Sequence, residues 1–172
     1  MTTPGNKLPG VINGGVHMSI EKVREYLKQF GVDDKIQEFD VSSATVELAA
    51  QALRCEGKRI AKTLSFDVHG SPVLIVAAGD TKVDNQKYKA HFGTKAKMLA
   101  YEQVPIQVGH AVGGVCPFAV NSACRIFLDI SLQRFDTVFP ACGSSNSAIE
   151  LSIAELEKYV PFEEWIDVCK IS

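Results

Sequence analysis

The sequence predicts one α/β (α+β) domain with a mixed β-sheet, and three observations lead to this prediction. The 172 residues are 46% hydrophobic and 22% charged, which is ordinary for a single globular domain. Stretches with strand-like and helix-like periodicity alternate along the sequence without an internal repeat. Residues 73–78, VLIVAA, are so uniformly apolar that they predict a strand buried on both faces.

Two helices and a short strand are predicted in the first third of the chain. Ser19 is expected to cap a helix, because the apolar residues after it follow helical spacing, and Gly31 is expected to end it. Alternating apolar and polar residues in 35–41 predict a short strand. Thr45 is then expected to cap a second helix, residues 46–55.

A hairpin and a short helix are predicted next. Residues 59–68 alternate between apolar and polar side chains, and the turn sequence HGSP separates them from the apolar strand 73–78. After this hairpin, Asp84 is expected to cap a helix that Gly93 closes.

The remaining elements are short. A helical turn in 101–108 is expected to be interrupted at Pro105, and Ser152 is expected to cap the final helix. The other predicted strands are residues 96–100, 124–130, 135–141 and 147–152.

The first 17 residues differ in character from the rest. They are rich in Gly, Pro and Asn, lack periodicity, and precede a second methionine, Met18, where the amphipathic pattern begins. This is typical of a vector-derived leader, so we expect residues 18–172 to form the single domain.

Composition excludes several classes of protein. No apolar run reaches the roughly 20 residues of a membrane span. The net charge of −2 argues against a general polyanion binder. The cysteines are odd in number, widely spaced and without a C-x-x-C pair, which favours reduced thiols in the cytoplasm over disulfides or a zinc site. They are Cys55, Cys116, Cys124, Cys142 and Cys169.

One local basic group remains compatible with nucleic-acid binding. Six basic residues fall within sixteen positions: Lys82, Lys87, Lys89, His91, Lys95 and Lys97. They form either a solvated helix face or a contact surface for nucleic acid.

The segment GHAVGGVCPF, residues 109–118, is unusual because it combines glycines and a proline with Cys116 and His110. In one interpretation, Cys116 is a nucleophile that His110 activates when the glycines fold the loop back. In another, Cys116 is a small, semi-buried filler. The usual catalytic signatures, including G-x-S-x-G, the P-loop and H-E-x-x-H, are absent from the sequence.

The same segment also has a backbone interpretation. Gly113 and Gly114 permit positive φ and close approach, while Pro117 fixes the backbone after them. Such a rigid turn directs N–H and C=O groups outward, as required to bind a carbonyl oxygen or an ammonium group. A plain tight turn before the next strand is the alternative.

Lys62 lies in register with three large apolar residues on its predicted strand. A lysine on a core-facing strand surface needs an explanation. Either it extends to solvent from the end of the sheet, or it lines a cleft and binds an anion.

Taken in order, these motifs resemble the YbaK / prolyl-tRNA synthetase editing-domain family. The resemblance runs from about Ser19 to Val160, and its most specific parts are Lys62–Thr63 and the Gly-x-x-x-Pro loop, Gly113–Pro117. The segments that carry it are RIAKTLSF, AAGDTKVD, VGHAVGGVCPF, FLDISL and ACGSSNSAIELSIAEL. Related sequences often have glycine at the position of Ala119 and serine or proline at that of Cys116.

The resemblance implies a mixed sheet curled into a barrel-like core with surrounding helices. It implies a free-standing aminoacyl-tRNA deacylase that acts on mischarged tRNA, with tRNA-Pro carrying a small amino acid such as Cys or Ala as the expected substrate. Prolyl-tRNA synthetase is a further implied partner, and neither metal nor cofactor is expected. The alternatives are a non-catalytic module that binds aminoacyl-tRNA or a nucleotide, and a hydrolase that uses Cys116.

The resemblance also implies roles for particular residues. The catalytic group comprises Lys62, Gly113 and Gly114, with the loop holding the aminoacyl group and the lysine holding the terminal adenosine and its phosphate. The implied substrate-binding residues are Phe39, Thr45, Thr63, Val115, Cys116, Pro117, Gly143 and Ser144. The expected tRNA contacts are Lys82, Lys87, Lys89 and Lys95.

Overall fold

The computed structural model describes residues 14–172, with side chains described from Ser19 onward. Residues 1–13, most of the predicted leader, lie outside the described residues. The first helix begins at Gly14, so the predicted cap at Ser19 is wrong. The Ser19 side chain is buried, and its hydroxyl donates to the C=O of Gly109 at 3.4 Å, so it serves a tertiary contact.

The described residues form five α-helices, ten strands and several 3-10 turns. The helices are α1 (Gly14–Lys28), α2 (Val46–Leu53), α3 (Asn85–Phe92), α4 (Val104–Gln107) and α5 (Ile153–Tyr159). The strands are β1 (Gln37–Glu38), β2 (Ile60–Val68), β3 (Ser71–Ala78), β4 (Thr81–Val83), β5 (Arg125–Asp129), β6 (Thr137–Pro140), β7 (Ser147–Ala148), β8 (Leu151–Ser152), β9 (Trp165–Ile166) and β10 (Cys169–Ile171). None of the helices in residues 14–172 is long and apolar enough to cross a membrane.

Six strands form the main sheet, in the order β8-β6-β2-β3-β5-β9. The hairpin β2–β3 and the pair β6–β8 are antiparallel, whereas β2–β6, β3–β5 and β5–β9 are parallel. Two small antiparallel pairs, β1–β7 and β4–β10, lie beside it. The sheet curls into a half-barrel, which confirms the predicted mixed fold.

Several predicted elements are confirmed by their local contacts. The Thr45 hydroxyl accepts from the N–H of Leu48 at 3.1 Å and caps α2. Asp84 caps α3, which closes at Gly93 in a left-handed conformation. Ser152 caps α5 and forms a reciprocal capping box with Glu155.

The central strand β3 separates two packed layers because its side chains alternate between the two faces of the sheet. One face contacts α1 and α5, and the other contacts α3 and the C-terminal strands. The first face of β3 is formed by Leu74, Val76 and Ala78, and the second by Val73, Ile75 and Ala77.

Other predicted elements are corrected. Residues 96–100 form no strand but a single bridge between Met98 and Phe66. Residues 147–152 divide into β7 and β8, because the N–H of Ile149 turns to the C=O of Pro140. Pro105 lies in the first turn of α4, where its missing N–H has no helical partner to lose, so it does not interrupt the helix.

Ala119, at the end of the glycine-rich loop, adopts the left-handed conformation with φ of +55°. This conformation costs an L-residue about 1–2 kcal/mol and glycine almost nothing. A glycine at this position would therefore relieve backbone strain.

We expect Ala119→Gly to raise the free energy of unfolding by up to about 1 kcal/mol, because the relief of strain exceeds the added backbone entropy of the unfolded state. Urea denaturation measures this change. Ala111→Gly, in the same loop but without positive φ, is the control and should destabilise the protein. A loss of stability in Ala119→Gly equal to that of the control would contradict the prediction.

Candidate functional site

A cavity of about 450 Å³ opens at the edge of β2 where the sheet is incomplete. On this edge, β6 pairs only with the first two residues of β2. The segment 97–99 pairs with β2 only from Ser65 onward, where the N–H of Leu99 donates to the C=O of Ser65 at 3.0 Å. Residues 62–64 therefore have no strand beside them on the side of the cavity.

The unpaired edge of β2 determines which residues form the wall of the cavity. Six consecutive residues of β2, 60–65, border the cavity, which shows that the strand edge rather than one face is exposed to it. The start of α2, the segment 98–104, the loop 112–115 and the ends of β6 and β7 complete the wall.

The wall is largely apolar, and Lys62 is the one charged residue among the described residues that line it. Its hydroxyl groups come from serine, threonine and tyrosine, and no lining residue is a histidine, cysteine, aspartate or glutamate. A serine or threonine nucleophile here has no histidine or carboxylate base beside it. In residues 14–172, the histidine, cysteine, aspartate and glutamate side chains form no cluster of three or more that could hold a metal ion.

Lys62 is half-buried, and its ammonium group donates to the backbone C=O of Thr81 in β4. Burial lowers the pKa of Lys62, and the charges of nearby groups partly offset this effect. The described residues include no carboxylate in a salt bridge with it. A charged Lys62 is therefore not neutralised by a carboxylate of the described residues.

The two glycines of the loop have different structural roles. Gly113 lines the cavity with φ of +95°, and neither it nor Val115 donates a backbone hydrogen bond within the described residues. The N–H of Gly114 instead donates to the C=O of Ala111 at 2.9 Å. A Cβ at Gly114 would lie 2.9 Å from the backbone of Gly143, so this glycine allows two loops to pack.

Cys116 and His110 do meet, because the loop folds back as the glycines allow. The Cys116 sulfur lies 3.5 Å from Nε2 of His110, which donates to the C=O of Phe118 at 2.7 Å. Cys116 is fully buried, and burial raises its pKa to about 12. Burial also lowers the pKa of His110. Cys116 therefore stays a protonated core thiol and, contrary to expectation, does not line the cavity.

The other predicted substrate-binding residues divide into two groups. Thr45, Thr63 and Val115 line the cavity. The predicted residues that do not line the cavity are Phe39, Pro117, Gly143 and Ser144. Phe39 exchanges hydrogen bonds with Asn146, and the Ser144 hydroxyl lies 2.6 Å from that of Ser147.

The predicted tRNA-binding lysines lie on and around α3. Lys87 is 2.9 Å from the carboxylate of Asp167, whereas Lys82, Lys89 and Lys95 are exposed and have no carboxylate partner in the described part of the protein. α3 packs on the sheet face that contains Phe66.

Several lining residues were not predicted from the sequence. Leu64, Leu99, Val104 and Phe139 supply apolar wall, and Tyr101 stands at the mouth with 75% of its surface exposed. Their spacing in the sequence does not indicate a shared site, because only the folded structure brings these residues together.

Comparisons with known proteins agree with this architecture. A proposed trans-editing enzyme for prolyl tRNA synthetase has a crystal structure with a TM-score of 0.79 and 26% identity, covering 88% of this chain and 97% of its own. The uncharacterized protein YwhH of Bacillus subtilis (strain 168) is 51% identical over 154 residues, 89% of this chain and 98% of its own length.

A weaker relative is the proline–tRNA ligase of Thermosipho melanesiensis, 26% identical over 129 residues, which are 74% of this chain and 22% of the ligase. The model of the aminoacyl-tRNA editing domain matches residues 40–159, which contain all of the cavity wall. The chain therefore belongs to the aminoacyl-tRNA editing domain family.

Proposed function

We propose that the protein is a trans-acting deacylase that hydrolyses the ester of a mischarged tRNA. The expected substrate is tRNA-Pro carrying a small amino acid such as cysteine or alanine. The observation that carries the proposal is the meeting of Lys62 and the Gly113 loop at one largely apolar cavity. A wall without carboxylates suits an uncharged amino-acid side chain, since a buried cation would lack a partner.

The residues around the cavity support hydrolysis by water. Water adds to the ester carbonyl carbon, the bond from that carbon to the ribose oxygen breaks, and the ribose oxygen takes a proton. The products are the free amino acid and a tRNA with a free 3′ end. The unpaired N–H groups of Gly113 and Val115 are suited to stabilise the negative charge that develops on the carbonyl oxygen.

Two cationic regions are proposed to bind the RNA. Lys62 binds a phosphate or the sugar of the terminal adenosine, because its ammonium is not neutralised by a carboxylate. The exposed lysines Lys82, Lys89 and Lys95 contact the acceptor stem. Lys87 contributes less than expected, since Asp167 already pairs with it.

A panel of mischarged tRNAs tests the function. Catalytic release of the amino acid from one or more of them, above the uncatalysed rate, supports a deacylase. Tight binding of the panel without release would instead establish the non-catalytic binding module.

We expect Lys62→Ala to reduce single-turnover deacylation by about tenfold to hundredfold, because one charge-assisted hydrogen bond to the RNA is lost. Lys58→Ala is the matched control, since Lys58 lies just before β2 in an exposed pair with Glu56 and should keep full activity. Near wild-type turnover in Lys62→Ala, with circular dichroism unchanged in both variants, would remove Lys62 from the mechanism.

We expect Cys116→Ala to retain substantial activity, because a buried thiol with a pKa near 12 is not a nucleophile at neutral pH. Gly113→Val should be severely impaired, since a β-branched residue disfavours a φ of +95° at the wall of the cavity. Single-turnover assays compare the two at matched folded fraction. An inactive Cys116→Ala that still binds tRNA would favour the cysteine hydrolase.

A further inference from the structure

Large apolar side chains are exposed around the mouth of the cavity. Tyr101 is 75% exposed, Met98 55% and Val112 41%, and all three line the cavity. Met98 and Tyr101 belong to the segment 98–104, and Val112 belongs to the loop 112–115. Exposed apolar groups that cluster around a cavity mark a binding surface. We call Met98, Tyr101 and Val112 the rim of the cavity.

The side chain of Tyr101 has no partner in the part of the protein that the structure describes. Its ring packs against no other aromatic ring there, and its hydroxyl makes no hydrogen bond. A planar ring at the mouth of a cavity, open on most of its surface, is suited to stack on another planar group. A nucleobase is such a group, and proteins commonly hold the bases of a single strand by stacking them on aromatic side chains.

Two lysines lie just before the rim in the same segment of the chain. Lys95 is exposed and has no carboxylate partner among the described residues, and Lys97 is exposed in a 3.7 Å pair with Asp67. Residues 95–102 contain one acidic side chain, that of Glu102. Cations beside an exposed aromatic ring suit single-stranded RNA, because the cations contact phosphates while the ring stacks on a base.

We propose that the rim binds the unpaired 3′ end of the tRNA, with one base stacked on Tyr101, an inference that rests on the deacylase function proposed above. The contacts proposed for Lys62 and the Gly113 loop take a phosphate or sugar and the aminoacyl group, and they leave the bases without a partner. The strand joined to the aminoacyl group leaves the cavity through its mouth, where Tyr101 stands. Bases of the paired acceptor stem are stacked inside the helix, so this contact requires unpaired nucleotides.

The first experiment separates binding from catalysis. The bases take no part in the bond changes at the ester, so a stack on Tyr101 lowers KM and leaves kcat unchanged. We expect Tyr101→Ala to raise KM for a mischarged tRNA about tenfold to hundredfold, the effect of losing one base–aromatic stack. Tyr101→Phe keeps the ring and should keep the wild-type KM. Ile130→Ala, which removes an exposed apolar side chain that does not line the cavity, is the matched control.

Two results of this experiment would overturn the inference and leave the deacylase function intact. A lower kcat with an unchanged KM in Tyr101→Ala would show that the ring shapes the cavity, and unchanged values of both would show that it has no role. If the wild-type protein releases no amino acid from any mischarged tRNA, the proposed function fails instead. The second experiment needs no catalysis and then tests the inference by itself.

The second experiment measures the binding of uncharged tRNA-Pro with and without its unpaired 3′ nucleotides. We expect Tyr101→Ala to lose about tenfold to hundredfold in affinity for the intact tRNA and nothing for the truncated one. Equal losses for both, or equal binding of both by the wild-type protein, would overturn the inference.

Abasic nucleotides then identify the stacked base. Each unpaired nucleotide is replaced in turn by an abasic one, and the effect of Tyr101→Ala on affinity should disappear at the position whose base stacks on the ring. An effect of Tyr101→Ala that persists at every position would overturn the inference.

Discussion

The unpaired edge of β2 is the constraint on which the site depends. A strand edge exposes N–H and C=O groups, which proteins usually cover with another strand, a helix or charged side chains. Here β6 stops at Pro140, whose nitrogen carries no hydrogen to donate. On the other side, residues 97–99 leave the edge where the 3-10 turn at Tyr101 begins. Between these two ends the fold leaves backbone hydrogen-bonding groups open at a cavity.

The opposite wall, the loop 112–115, also faces the cavity with backbone groups. The Cys116 and His110 side chains, which have the composition of a catalytic pair, pack beneath this loop. Gly114 lets the loop lie against Gly143, and the thiol of Cys116 fills the core beneath it next to His110. Burial keeps that thiol protonated, so a pair with the composition of a catalytic dyad acts as packing. The polar groups left to face the cavity are therefore backbone groups, hydroxyls and one lysine.

The sequence was sufficient for elements whose signals are local. The caps at Thr45, Asp84 and Ser152 were predicted correctly, because a capping residue contacts N–H groups within three positions of itself. The buried strand β3 and its hairpin partner were predicted from hydrophobicity and a turn.

Features that depend on contacts between residues far apart in the sequence could not be predicted. Ser19 has the composition of a cap but bonds across the fold to Gly109, and β4, β9 and β10 are too short to show periodicity. Lys62 and Gly113 were singled out because their residue types are unusual in their local pattern; both line the cavity, and their roles stay predictions. Cys116 was placed at the cavity wrongly, since burial is a property of the packed core.

The position of the Lys62 ammonium group is set by a pair of strands that do not line the cavity. Thr81, which accepts from Lys62, is held in β4 by pairing with Ile171 of β10, outside the matched family segment 40–159. A carbonyl partner orients the ammonium without cancelling its charge, as a carboxylate would. Burial is the cause that lowers the pKa of Lys62, so an anion that binds beside the ammonium would raise this pKa again. Binding of an anion and protonation of Lys62 would therefore reinforce each other, because no carboxylate of the described residues already pairs with this lysine.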